Sequence, residues 1–284
     1  MKHIILDTDL GGDADDIFAL LFAINSPELK IDLIVTSDEY KSHRARYTEE
    51  FLEMIDVKIP VVAGLDVGNT KLFVVENQIK DTKRKVDENF LEAIKQVVEK
   101  NEMTHYVCIG TQSNLAVFIK RYPHLKNKVK ILFMGGAINY RKPNCAQHNI
   151  KYDVPPAIEV FHSDWDKKYV LSDVTFREEI KIDKQSQMYK ELKKLNKKHT
   201  NFIIESMNSL FEKLCPETRM HDPLTLSYLI NEQIIDFETQ KITMNEKGIM
   251  KLSPDGRETI VSKKANYELF LEIFKERIYQ DIVK

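Results

Sequence analysis

The chain has 284 residues, is 43% hydrophobic, and carries 42 basic against 44 acidic side chains, a formal charge of −2. That length and apolar content suffice for a sizeable core, and the near balance of charge gives no reason to expect nucleic acid or an anionic membrane as partner. The apolar run Ile4–Leu6 is too short for a leader and nothing approaches a spanning helix, while Cys108, Cys145 and Cys215 read as reduced thiols of a cytoplasmic protein.

In chain order, Ile4–Leu6 predicts a strand and 15–25 a helix. Strand 31–36 and helix 42–55 follow, then a short strand at 59–63. Residues 64–85 form a polar loop able to cover a site, and 86–99 have apolar positions at helical spacing. A strand at 105–109, a helix at 113–120 and a strand at 129–134 come next, with a further short strand at 169–172. The second half is more helical: one or two lysine-rich surface helices in 184–214, a buried helix at 221–230, late strands at 241–244 and 249–252, and a closing helix at 266–278. This alternation predicts an α/β architecture with a largely parallel, covered sheet in one domain, 1–284. Ligands in open sheets of this kind bind at the carboxyl ends of the strands. Segments 7–16, 36–40, 110–114 and 134–149 are therefore the ones to inspect.

The first strand runs into Asp7-Thr8-Asp9-Leu10-Gly11-Gly12-Asp13-Ala14-Asp15-Asp16. Five carboxylates in ten residues repel one another unless a cation or a helix N-terminus compensates. Two glycines let the backbone turn tightly. Oxygen ligands without histidine or cysteine suit calcium or magnesium rather than zinc. The spacing is not that of an EF-hand. An aspartate pair two residues apart after the first strand superficially resembles the haloacid dehalogenase phosphatases. That alternative would use magnesium, Asp7 as nucleophile and Asp9 as acid/base, but it leaves three further carboxylates without a task.

Asp7-Thr8-Asp9-x-Gly followed by Asp15-Asp16 resembles the N-terminal signature of the calcium-dependent nucleoside hydrolases. Three further motifs follow in the family's order: Gly110-Thr111-Gln112-Ser113-Asn114-Leu115, then Met134-Gly135-Gly136-Ala137 with His148-Asn149 and Asp153, then His221-Asp222-Pro223-Leu224. The resemblance implies a Rossmann-like α/β fold with a mixed, mostly parallel sheet, a homodimer or homotetramer, a calcium cofactor and a nucleoside-like substrate. It also implies roles. Asp9, Asp16, the backbone carbonyl of Ser113 and Asp222 would hold calcium, with Asp9 as general base. Asp15 and Asn149 would bind ribose hydroxyls, and His221 would lie near the leaving base as an acid. Asn114 and Gln147 join the substrate-binding candidates, although an asparagine in such a loop commonly bonds neighbouring backbone.

The chain departs from the family pattern in four places. Gly12-Asp13-Ala14 lengthens the acidic loop, so Asp13 could take a role of Asp15 or Asp16. Gln147 stands where the family often has glutamate. Residues 36–40 are acidic where an asparagine is common. The family's second sugar-binding asparagine is expected before Gln147, where Asn139 and Asn144 are both candidates and neither aligns cleanly. A non-catalytic sugar- or nucleoside-binding protein of the same fold is the further alternative. His43, Arg44 and Arg46 read as an exposed helix face.

Overall fold

The computed structural model describes residues 1–69 and 72–282; Thr70 and Lys71, in the expected 64–85 loop, lie outside the described residues. Short β-branched runs alternating with amphipathic stretches give β1 (Lys2–Thr8), α1 (Asp15–Ile24), β2 (Leu29–Thr36), α2 (His43–Met54), β3 (Val61–Ala63), α3 (Phe90–Lys100), β4 (Thr104–Cys108), α4 (Ser113–Arg121), β5 (Val129–Met134), α5 (His148–Lys151), α6 (Val154–His162) and β6 (Lys167–Val170). The second half adds α7 (Ser172–Thr175), β7 (Lys181–Asp183), α8 (Gln187–Leu195), α9 (Lys198–Lys213), β8 (Glu217–Arg219), α10 (His221–Ile230), β9 (Ile235–Met244), β10 (Met250–Leu252), β11 (Arg257–Ala265) and α11 (Tyr267–Ile282).

The main sheet has nine strands in the order β10-β9-β11-β6-β5-β4-β1-β2-β3. From β3 through β11 the pairs are parallel, and β9 and β10 add antiparallel at the far edge. Residues alternate between the two faces: Ile4 and Leu6 join one apolar cluster, Ile5 the other. Both faces are covered, as a parallel sheet requires.

α1 is apolar almost all round, and Ile17 through Ala23 are buried. A helix of that character cannot lie on a surface. It packs against α10 and α11, where Phe18 and Phe22 meet Phe270 and Phe274 with ring centroids 5.5–6.3 Å apart. The rigid seating matters because the first turn of α1 carries two of the clustered aspartates.

Three expectations change. The strand expected at 169–172 lies at Lys167–Val170, and Ser172 instead opens α7. β9 starts at Ile235, well before the expected 241, and β11 was not foreseen. β11 reads Arg-Glu-Thr-Ile-Val-Ser-Lys-Lys-Ala, with charge at both ends. Pairing between β6 and β9, rather than a periodic apolar pattern, makes it a strand. Third, Arg44 is not on an exposed helix face: it is 1% exposed.

The chain runs from β1 outward to β2 and β3, then returns to the other side of β1 as β4. The gap at the carboxyl ends of β1 and β4 is thus the topological switch point, where open α/β sheets bind ligands.

Candidate active site

β1 delivers its last residues directly into this gap. Asp7, still within the strand, is fully buried. The Tyr106 hydroxyl donates to its carboxylate at 2.6 Å and the Asn114 amide at 3.2 Å. Burial pushes its pKa up to about 7. Asp7 does not line the adjoining cavity, so it is not placed to attack a phosphoester. The haloacid dehalogenase alternative is thereby set aside.

Past the strand, Gly11 adopts φ +104°, and the turn returns the Gly12 N–H to the Asp9 carbonyl at 3.3 Å. A side chain at Gly11 would also run into the Phe73 ring. The turn is braced from outside by Arg44, whose guanidinium donates to the Asp9 carbonyl and, at 3.3 Å, to the Leu10 carbonyl. The same guanidinium bonds the Asp38 carboxylate and the Asp38 carbonyl, each at 2.9 Å. The acidic 36–40 loop therefore serves architecture. Asp38 pairs with Arg44, and Glu39 accepts N–H bonds from Arg44 at 3.3 Å and Ala45 at 2.8 Å at the start of α2. Asp38, Lys41 and Ser42 have φ of 55°, 51° and 58°, left-handed conformations that this network holds in place.

Gly110, just past β4, sits so close that a Cβ there would lie 3.0 Å from the Asp9 nitrogen and 3.1 Å from its Oδ1, and would overlap the Ser37 hydroxyl. Gly110→Ala is expected to cost about 1–3 kcal/mol of stability, as overpacking does, and to displace Asp9. Chemical unfolding together with turnover checks both; wild-type values in the variant would refute the close approach.

Asp15, Asp16 and Asp222 converge although more than two hundred residues separate Asp222 from the others. Each offers a carboxylate oxygen, and these oxygens all lie within 4.8 Å of one another. α10 contributes Asp222 from its first turn, as α1 contributes Asp15 and Asp16. The Asp222 N–H donates to Asp15 Oδ2 at 3.2 Å, and the Thr8 hydroxyl donates to Asp16 Oδ1. Asp13 accepts from the Thr218 hydroxyl of β8.

The electrostatics follow from burial. Asp15, Asp16 and Asp222 are all pushed well above the ordinary carboxyl range, first by desolvation and then by nearby aspartate charge, chiefly that of Asp13 on Asp15, Asp9 on Asp16 and Asp15 on Asp222. Asp9 and Asp13 are raised by burial too, Asp9 against the pull of Arg44. So many buried acids cannot all be charged without a counterion. An oxygen-only donor set of this size fits a hard divalent cation.

Asp9, Asp13, Asp15, Asp16, Asp222 and His221 all border one cavity of about 290 Å³, together with Gln147 and Asn149. Ser113 and Asn114 do not border it. The Ser113 hydroxyl bonds Asp153. Asn114 accepts the Leu65 N–H at 2.8 Å and donates to Asp7 and to the Thr36 carbonyl, both at 3.2 Å. Asn114 thus joins three strand ends. At the end of β4 the residue that does reach the cavity is Ile109, whose carbonyl accepts from the Asn149 amide at 2.7 Å. Gln147 caps α5, its Oε1 accepting the Asn149 N–H at 3.0 Å and the Gly136 N–H at 3.2 Å.

His221 Nδ1 lies 2.7 Å from the Thr175 hydroxyl, and burial holds its pKa down at about 3. Its ring stacks near Phe176, centroids 6.2 Å apart. Sequence reasoning gave no role to Tyr140, Arg141, Lys142 or Tyr152, which also border the cavity, whereas Asn139 and Asn144, both candidates for the second sugar-binding asparagine, do not border it. No regular element runs through 139–146, so periodicity carried no signal there.

An open, doubly covered α/β sheet with an oxygen-only acidic centre at its switch point defines a Rossmann-like enzyme built for a small polar substrate. Residues 4–279 match the family described as inosine-uridine preferring nucleoside hydrolase. A pyrimidine-specific ribonucleoside hydrolase, RihA, of Escherichia coli O81 is 23% identical over 255 residues, covering 81% of this chain and 80% of its own. Among solved structures, a purine-preferring ribonucleoside hydrolase from Gardnerella vaginalis superposes with a TM-score of 0.83 at 21% identity, covering 99% of each chain. A plant nucleoside hydrolase superposes with a TM-score of 0.81 at 20% identity, covering 98% of this chain and 99% of that one. The chain belongs to the nucleoside hydrolase family, and its reaction is hydrolysis of the N-glycosidic bond of a ribonucleoside.

Proposed function

We propose that the chain cleaves a ribonucleoside to free base and ribose with calcium as its metal. The observation that carries this reading is the meeting of Asp15, Asp16 and Asp222 within 4.8 Å at the cavity floor. Within this trio Asp16 and Asp222 would hold the metal, as the sequence leads one to expect, with Asp9 completing the carboxylate set and Asp15 left for the sugar beside it. Ile109 borders the cavity and Ser113 does not, which favours the Ile109 carbonyl over that of Ser113 as the neutral donor. When bound, calcium would polarise water and neutralise the acidic centre.

The chain's own residues supply the remaining chemistry. Asp9 accepts a proton from the attacking water. Asp15 and Asn149 hold the ribose diol, leaving Asp13, tied to Thr218, as a supporting charge. Carboxylates around the sugar favour the oxocarbenium-like transition state. The water oxygen bonds C1′, the C1′–N electron pair leaves with the base, and the proton taken by Asp9 balances the one the base acquires. His221 is neutral at working pH. It therefore acts as a hydrogen-bond donor to the departing base rather than as an imidazolium acid.

Among the described residues no helix is long and apolar enough to cross a membrane. A cytoplasmic homodimer or homotetramer completes the reading, supported by the family alone.

The test is release of base from purine and pyrimidine ribonucleosides and their 2′-deoxy forms, with calcium and with chelator. Chelator should abolish turnover and calcium restore it. Deoxy substrates should fall by about a hundredfold or more, because buried diol partners are left unpaired. Chelator-insensitive cleavage would overturn the metal assignment, and no base release would overturn the catalytic reading.

A further inference from the structure

The cavity is polarised. Every carboxylate that borders it comes from the Asp9–Asp16 turn or from Asp222. The segment between β5 and α6 contributes no acid to it. Beside Gln147, His148 and Asn149 it supplies Tyr140, Arg141, Lys142 and Tyr152. Arg141 and Lys142 are exposed at the rim, and among the described residues neither has a carboxylate within ion-pair distance.

Arg141 is nonetheless held in position. Its guanidinium lies 4.2 Å from the Phe176 ring centre and 5.0 Å from that of Tyr140. Aromatic faces locate a guanidinium without neutralising it. Arg219 also lies over Phe176, at 3.9 Å, but is ion-paired with both Glu178 and Glu217. Two arginines thus share one ring, and only Arg219 has its charge met by protein. Phe176 in turn stacks near His221. The unmet cation is therefore one ring away from the cavity histidine.

We propose that the substrate is an anionic riboside, whose negative group is received by Arg141 and Lys142 at the cavity rim. This rests on the ribonucleoside hydrolase reading and names the substrate class within it. An anion would be repelled by the aspartates, so it must lie at the end of the cavity away from them. A 5′-phosphate on the ribose and a carboxylate on the base supply the same chemistry. A planar guanidinium matches either in a bidentate pair. Rim cations would also speed capture of such a substrate, in a salt-dependent way.

The experiment compares uridine, uridine 5′-monophosphate and orotidine, whose base carries a carboxylate, in turnover and in calorimetric binding. The proteins are the wild type, the double variant Arg141→Gln/Lys142→Gln, and Gln147→Glu. The last keeps an oxygen for the Gly136 and Asn149 N–H groups while adding a negative charge to the same wall. One anionic substrate should exceed uridine in kcat/KM and in affinity by about fivefold to tenfold, the scale of a partly exposed charge-assisted pair. Which one it is identifies the source of the charge. The ratio should fall towards one in the double variant and at about 0.5 M salt, and should drop in Gln147→Glu. Turnover of uridine with no advantage for either anion overturns the inference and leaves the hydrolase reading standing. Preferential binding of an anion without turnover of any compound supports the anion-receiving rim and overturns these ribosides as substrates. Neither preference nor turnover overturns the inference, and the hydrolase reading falls with it only when the purine ribonucleosides are also left uncleaved.

Discussion

Asp16→Asn is expected to lower kcat/KM by about a thousandfold and, at the same time, to make the metal-free protein more stable. The first effect follows from losing a charged oxygen of the cradle proposed for the metal, of the order seen when a catalytic or charge-stabilising group is removed. The second follows from burial. Asp16 is pushed well above its ordinary value of 3.8 by desolvation, by Asp9 and by Asp13. A carboxyl whose folded pKa is raised contributes fully to stability below its unfolded value and loses that contribution as pH rises through the folded one. Asparagine cannot ionise and escapes the loss. The metal-free wild type should thus lose stability steadily above about pH 4. Asp7, raised to about 7, adds a window ending near neutrality. Calcium should reverse the loss from the cradle, and its stabilising effect should grow with pH because ligands must shed protons to bind. Thermal unfolding from pH 4 to 8, with calcium and with chelator, measures all of this. About 1 kcal/mol moves Tm by roughly 2–4 °C in a protein of this size. Equal Tm for wild type and Asp16→Asn at pH 8 in chelator would show that the aspartates do not repel one another as their burial requires.

Arg44→Met should destabilise the fold by about 3–5 kcal/mol, the cost of stranding one member of a buried ion pair. Arg44 and Asp38 have side chains only 1% and 2% exposed, with nitrogen and oxygen 2.9 Å apart. Adding Asp38→Asn should recover much of the loss, since the stranded charge is then gone. The double variant separates a second consequence. Arg44 also holds the carbonyls of Asp9 and Leu10, so the acidic turn stays unbraced even when stability returns. Displacement of a catalytic group by about 1 Å can cost about a hundredfold in rate. The double variant is therefore expected to regain its resistance to urea while kcat stays depressed. Recovery of both would make Arg44 a stability residue alone.

Much of this protein was legible in the sequence. Strand ends carrying Asp7–Asp16, Gly110–Asn114 and Met134–Gly136 could be read because β-branched runs and glycine turns are local signals. Carboxylates in that density imply a cation wherever they fold, since like charges repel regardless of context. The joining of Asp222 to the acidic turn was visible only through the family resemblance. Nothing in the spacing of residues 16 and 222 states that α1 and α10 pack side by side.

The rest was decided by tertiary structure. Asn114 could bind a ligand or bond backbone, and it bonds Leu65, Thr36 and Asp7 because three strand ends meet there. Arg44 carries the sequence signature of an exposed helix residue, yet the fold buries it against Asp38 and the Asp9 turn. β11 has too little apolar pattern to declare itself and becomes a strand because its neighbours offer unpaired backbone on both sides. Arg141 and Lys142 lie in an irregular segment with no period to read. Composition and local pattern determine which elements form and which charges need partners; only the packing of distant elements determines which partner each charge receives.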